Sequence, residues 1–151
     1  MSENQVVDLS AFMPEDTALF EVLDPGGTKA TGWVIEFAGP SHPKTVEWAN
    51  KNAKEQLRRE AQMEAARVNQ RKYKPDEKEP DEVRRANVEW VVSRIVSWTP
   101  VRIPHLSPDT IEFSEKAASD LLMRPEMGWA YLQMVEFLAD IRSFTKGSVT
   151  N

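Results

Sequence analysis

Cysteine is missing from the 151 residues altogether. That single absence excludes disulfides, thiolate nucleophiles and the cysteine-ligated zinc and iron-sulfur sites together. Histidine is nearly as scarce. His42 and His105 are the only two, each stands beside a proline in a turn-forming stretch, and neither falls in a spacing such as HExxH that would put ligands on one helix face. Glycine occurs six times, and its one pair, Gly26-Gly27, has no Lys-Ser/Thr and no helix directly after it, so a turn is the reading there and not a phosphate loop. A basic excess is absent as well: the net charge of -5 argues against a chain built as a whole to neutralise phosphates. No apolar run approaches the length that crosses a bilayer, and Met1-Ser2-Glu3-Asn4-Gln5 has neither a positive region nor an apolar one behind it. The expectation is a soluble, unexported protein with no membrane partner.

What is present is ordinary for a globular chain, 40% hydrophobic and 28% charged, in a length that suits one core with arms. Most of that core is expected between Asp81 and Phe144. Val83, Trp90, Val91, Val92, Ile95 and Trp98 recur at spacings near three, four and seven, which predicts a helix with a wide buried face, opened by Asp81 and Glu82 after Pro80 and closed by Pro100.

Residues 1–17 read as an N-terminal arm with Val6, Val7, Leu9, Phe12 and Met13 as apolar anchors. Ala18–Leu23 and Gly32–Ala38 are two β-rich runs around Asp24-Pro25-Gly26-Gly27, which predicts a β-hairpin. A lone hairpin is marginal in water, so it needs a helix beneath it, a third strand or another subunit. Val101, Arg102 and Ile103 are candidates for that third strand.

Ser41 or His42 caps a helix with Pro43 in its first turn, running to about Lys72. Its apolar content is thin (Val46, Ala49, Ala53, Leu57, Met63, Ala66, Val68), which suits a helix that projects from the body or meets a partner. Arg58, Arg59, Arg67, Arg71, Lys72 and Lys74 offer a phosphate-binding face, but Glu55, Glu60 and Glu64 are interleaved with them, and a nucleic-acid partner is the weaker reading. Residues 73–80, charged and bounded by prolines, read as a flexible linker. Ser114 is the expected cap of a helix that buries Leu121, Leu122 and Met123; Pro125 opens a last helix reaching Phe144, and 146–151 read as a frayed tail. The expected fold is therefore α+β, mainly α: a hairpin and long charged helix over 18–72, then a three-helix core over 81–145.

The carboxylates sit among Lys and Arg at helical spacings, where pairing on a solvated face accounts for them. No catalytic residue, cofactor or metal site is expected. Of the five tryptophans, Trp90 and Trp129 read as core, whereas Trp48 on the weakly apolar helix reads as an interface anchor.

The order of elements resembles the tail assembly chaperones of long-tailed bacteriophages. The resemblance rests on the hairpin around Pro25-Gly26-Gly27, the long charged helix, Ile95-Val96-Ser97-Trp98, a short extended crossing, Phe113-Ser114-Glu115-Lys116-Ala117-Ala118 with Leu121-Leu122, and a last aromatic helix from Trp129 to Phe144. It spans roughly residues 18–145. It implies a non-enzymatic protein of the bacterial cytoplasm that coats the helical tape measure protein, recruits the major tail protein and is lost from the finished tail. Trp48, Leu57, Met63 and Trp98 are then the candidate contacts, with assembly of several copies giving avidity to weak single contacts. The rival readings are a structural subunit of a tail or connector and a small nucleic-acid-binding module.

Overall fold

The computed structural model describes residues 5–69 and 80–145. The linker expected at 73–80 and the tail expected at 146–151 lie outside the described residues, apart from Pro80. Two strands open the ordered body, β1 (Thr17–Leu23) and β2 (Ala30–Ala38), and a third, β3 (Ile95–Trp98), joins the far side of β2. The sheet order is β1-β2-β3, antiparallel throughout, with helices α1 (Pro43–Val68) and α2 (Pro80–Arg94) inserted between β2 and β3. α3 (Glu115–Leu122) and α4 (Gly128–Ala139) follow. The fold is α+β and mainly helical.

The hairpin forms where its turn chemistry puts it. Asp24 N–H donates to Lys29 O and Gly27 N–H to Asp24 O, while Gly27 takes φ +73°, a conformation that costs a residue without a side chain little. Period-two alternation then aims Ala18, Phe20 and Val22 of β1, and Trp33, Ile35 and Phe37 of β2, at one face. That face and Val88, Val91, Leu121, Leu122, Met134 and Leu138 of the helices form one core. The opposite face carries Leu19, Glu21 and Glu36.

Two expected elements differ. The helix predicted to reach Trp98 stops at Arg94, and Ile95–Trp98 is β3. Ile95 and Trp98 suit either geometry on spacing alone, but the open edge of β2 supplies hydrogen-bond partners that a further helical turn would leave unpaired, and β-branched Ile95 and Val96 favour the strand. The third strand is therefore Ile95–Trp98. Val101 only bridges Ile111 within the crossing. The helix predicted from Pro125 to Phe144 is also divided: a 3-10 turn (Pro125–Met127), α4, and a second 3-10 turn (Ile141–Phe144), broken at Asp140 (ψ 113°). Asp140 Oδ1 accepts the Arg142 N–H and caps the new turn, a competition that Asp wins outside helix interiors.

The caps at α1 and α3 are where the sequence puts them. His42 Nδ1 accepts the Lys44 N–H (3.1 Å), and Ser114 Oγ accepts the Ala117 N–H (3.0 Å). Ser114→Ala is expected to cost about 1 kcal/mol of stability, read as a lower midpoint in urea with an unchanged slope.

The edge strand β1 is closed at both ends by side chain and backbone from distant sequence. Gln133 on α4 accepts the Leu23 N–H through Oε1 (2.8 Å) and donates from Nε2 to Leu23 O (2.9 Å), taking the place of a neighbouring strand. At the other end Glu15 N–H donates to Phe144 O (2.6 Å).

Candidate interaction surfaces

α1 is 26 residues long and buries none of them. Its root is held by Lys44, which pairs with Glu115 (3.4 Å) and lies 6.0 Å from the centre of the Phe113 ring, and by contacts with α2. Beyond that root it carries its own solvated support, such as Arg58 to Glu55 (3.0 Å) and Arg67 to Glu64 (2.9 Å). These pairs also occupy two of the basic groups that a nucleic-acid face would need.

The four residues proposed from sequence as partner contacts do not form one surface. Trp98 is only 7% exposed at the end of β3, edge-on to Trp33 (5.3 Å) and Phe113 (5.4 Å), with its indole N–H on Ile111 O. It is part of the core. Trp48 is half-buried and lines a groove of about 430 Å³ between α1, α2 and α3, beside Lys44, Glu89, Ser93 and Glu115. Leu57 stands nine residues further along the helix, about half a turn of azimuth away at about 100° per residue. Met63 projects between the two directions. Trp48 therefore faces the body and Leu57 faces away from it.

On that outward side the helix has a stripe that the sequence reading did not single out. Val46, Ala53, Leu57 and Val68 fall within a sector of about 60°. Leu57 is 64% and Val68 69% exposed. The steps of seven, four and eleven residues were the available signal.

A second surface lies at the other end of the sheet. A groove of about 580 Å³ is floored by Trp33, Met127 and Trp129 and walled by Val101, Ile103 and Leu106. Arg102, His105 and Glu126 supply its polar rim. Glu126 is paired with Arg124 (3.3 Å), while Arg102 has no ion pair among the described residues. The Trp33 indole N–H is buried and has no acceptor among the described residues. Such a groove is of a size that takes a ligand or a peptide segment.

Among the described residues no three of His, Asp and Glu converge as metal ligands. Burial pushes the Tyr131 phenol up and lowers the Arg94 guanidinium, and hydrogen bonds from Ser10 hold Asp8 below the usual carboxylate range. Arg94, 8% exposed, is satisfied by Ala38 O (2.9 Å) and lies 5.4 Å from the centre of the Phe144 ring, so its role is to tie α2 to the end of β2. No helix among the described residues is long and apolar enough to cross a membrane.

Comparison of the chain with protein-family models, curated proteins and solved structures finds no match.

Proposed function

We propose that this protein is a non-enzymatic binding protein of phage tail assembly, a chaperone that covers the tape measure protein in the host cytoplasm while tail subunits are recruited. The observation that carries the reading is α1: a 26-residue helix without a buried residue, whose Val46, Ala53, Leu57 and Val68 stripe points away from the core. A helix about 39 Å long that shows an apolar stripe to solvent is suited to lie along another amphipathic helix. A tape measure protein offers a long succession of such helices. Single contacts through so narrow a stripe are weak, and many copies along one partner give avidity. The resemblance of the sequence to tail assembly chaperones supports the same reading.

The test is capture from cells expressing the neighbouring phage genes, with bound proteins identified by mass spectrometry and the eluate assayed for nucleic acid. The wild-type chain is expected to retain a very long helical protein, and Leu57→Asp with Val68→Asp to lose it while the thermal midpoint moves by no more than about 2 °C, since both side chains are exposed. Capture of nucleic acid, undiminished capture by the double variant, or recovery of the chain in finished virions overturns the reading.

A further inference from the structure

Residues 5–13 form an arm with no regular structure before one 3-10 turn (Ser10–Phe12), and every one of them is exposed. Val6, Val7, Leu9, Phe12 and Met13 are each more than half exposed, so this short segment concentrates large apolar side chains that the chain itself does not cover. In their midst stands Asp8, whose carboxylate accepts from the backbone and hydroxyl of Ser10 and stays ionised at neutral pH.

The groove of Trp33, Met127 and Trp129 has the complementary character. Its floor is apolar, and its rim holds Arg102, a cation without an ion pair among the described residues, in a chain whose net charge is -5. One wall is also an open strand edge. β2 begins at Ala30, but β3 accompanies it only as far as Ile35 opposite Trp98, with Thr99 N–H on Val34 O (2.9 Å). Thr31, Gly32 and Trp33 thus run past the end of β3 and line the groove with no strand beside them on that side among the described residues, the Gly32 and Trp33 N–H groups being held by the Glu21 and Thr31 side chains. An extended segment laid there meets an apolar floor and a cation together.

We infer that this groove receives the N-terminal arm of a second copy of the chain, with Leu9 and Phe12 on the tryptophan floor and Asp8 against Arg102. A chain's own arm does not seat both residues there. It is rooted at Pro14 and Glu15, beside Phe144 and Thr145, next to the end where Thr17 pairs with Ala38. The first groove residue met along β2 is Trp33, five residues from Ala38 or about 17 Å away. Phe12 is two residues from Pro14, a reach of about 7 Å at most, and Leu9 covers the distance only when fully extended, at about 18 Å. Insertion of one copy's arm into the next is a head-to-tail contact, so it propagates into a ring or an open array and does not stop at a symmetric pair. This inference goes beyond the proposed function and uses none of the residues of α1.

The experiment is light scattering coupled to size exclusion on the full chain, from micromolar to near-millimolar concentration. Wild type is expected to grow in mass with concentration. Leu9→Asp with Phe12→Asp leaves a chain with a groove and no competent arm; Arg102→Asp leaves an arm and no competent groove. Each alone is expected to weaken association by about tenfold or more, and all three positions are exposed, so folding is retained. Mixed together, the two variants are expected to form a one-to-one pair that grows no further. Asp8→Arg combined with Arg102→Asp is expected to recover part of the association. A wild-type chain that stays monomeric, variants that associate as wild type does, mixed variants that stay apart, or association that disappears instead with the α1 variant Leu57→Asp overturns the proposal.

Discussion

Phe37→Ala is expected to remove about 3–5 kcal/mol of stability, the cost of emptying a well-packed aromatic site. Phe37 has no exposed surface; it stacks on Phe137 of α4 at 5.6 Å and lies 6.3 Å from Phe20 of β1. It is one of the points at which the hairpin, paired with Ile95 of β3, touches the last helix. Against a total of about 5–15 kcal/mol for a domain, the loss leaves a chain that is partly unfolded near 37 °C. Urea titration followed by tryptophan fluorescence measures it. Phe37→Leu, which keeps most of the volume, is expected to lose less than about 1.5 kcal/mol. A loss below about 1 kcal/mol in the alanine variant would mean that the hairpin does not close the core.

Gly39→Ala is the second large effect, and its sign is the reverse of the usual one. Replacing glycine by alanine commonly stabilises by about 0.4–1 kcal/mol, because the unfolded chain loses freedom. Here a Cβ on residue 39 would clash with Glu15 O and lie 3.1 Å from Asp16 O, both backbone atoms that cannot rotate away. Gly39 N–H also donates to Asp16 O (2.6 Å), so separating the two segments breaks a hydrogen bond. The expected cost is about 1–3 kcal/mol by overpacking. Its location can be read independently. Glu15 N–H, on Phe144 O, is expected to lose hydrogen-exchange protection well before the core amides do, because the start of β1 must move. An alanine variant as stable as the parent, with Glu15 still protected, contradicts this account.

The parts of the fold that were legible in the sequence are those fixed by short-range chemistry. Pro25, Gly26 and Gly27 make a turn whatever surrounds them, and the runs on either side alternate with a period of two. Ser114 and His42 accept from backbone N–H groups two or three residues on, so their caps need no tertiary partner. The long helix was legible because Ala, Glu, Gln, Lys and Arg dominate it and Pro43 marks its start. Ile95–Trp98 was not. Its apolar residues satisfy a helical spacing from Val91 as well as a strand's, and what decides between them is the unpaired edge of β2, nearly sixty residues earlier in the chain.

The candidate surfaces divide in the same way. That Val46, Ala53, Leu57 and Val68 align on one side of α1, with Trp48 on the other, follows from the pitch of a helix and could be counted from sequence. Which side meets solvent could not, since that depends on where α2 and α3 dock against the root of the helix. Trp98 shows the limit most plainly: a tryptophan at the end of a charged, apolar stretch has an interface composition, yet the adjoining strand turns it inward onto Trp33 and Phe113. The Trp33 groove could not be read at all, because its walls come from β2, the proline-rich crossing and the start of α4. By itself, then, the sequence determined the fold class, the hairpin, the caps and the solvated length of α1, all set by interactions among residues close along the chain. Only the tertiary structure decided the third strand, the outward face of α1 and the groove at the sheet's end, because each depends on segments brought together from far apart, where packing and backbone pairing outweigh local preference.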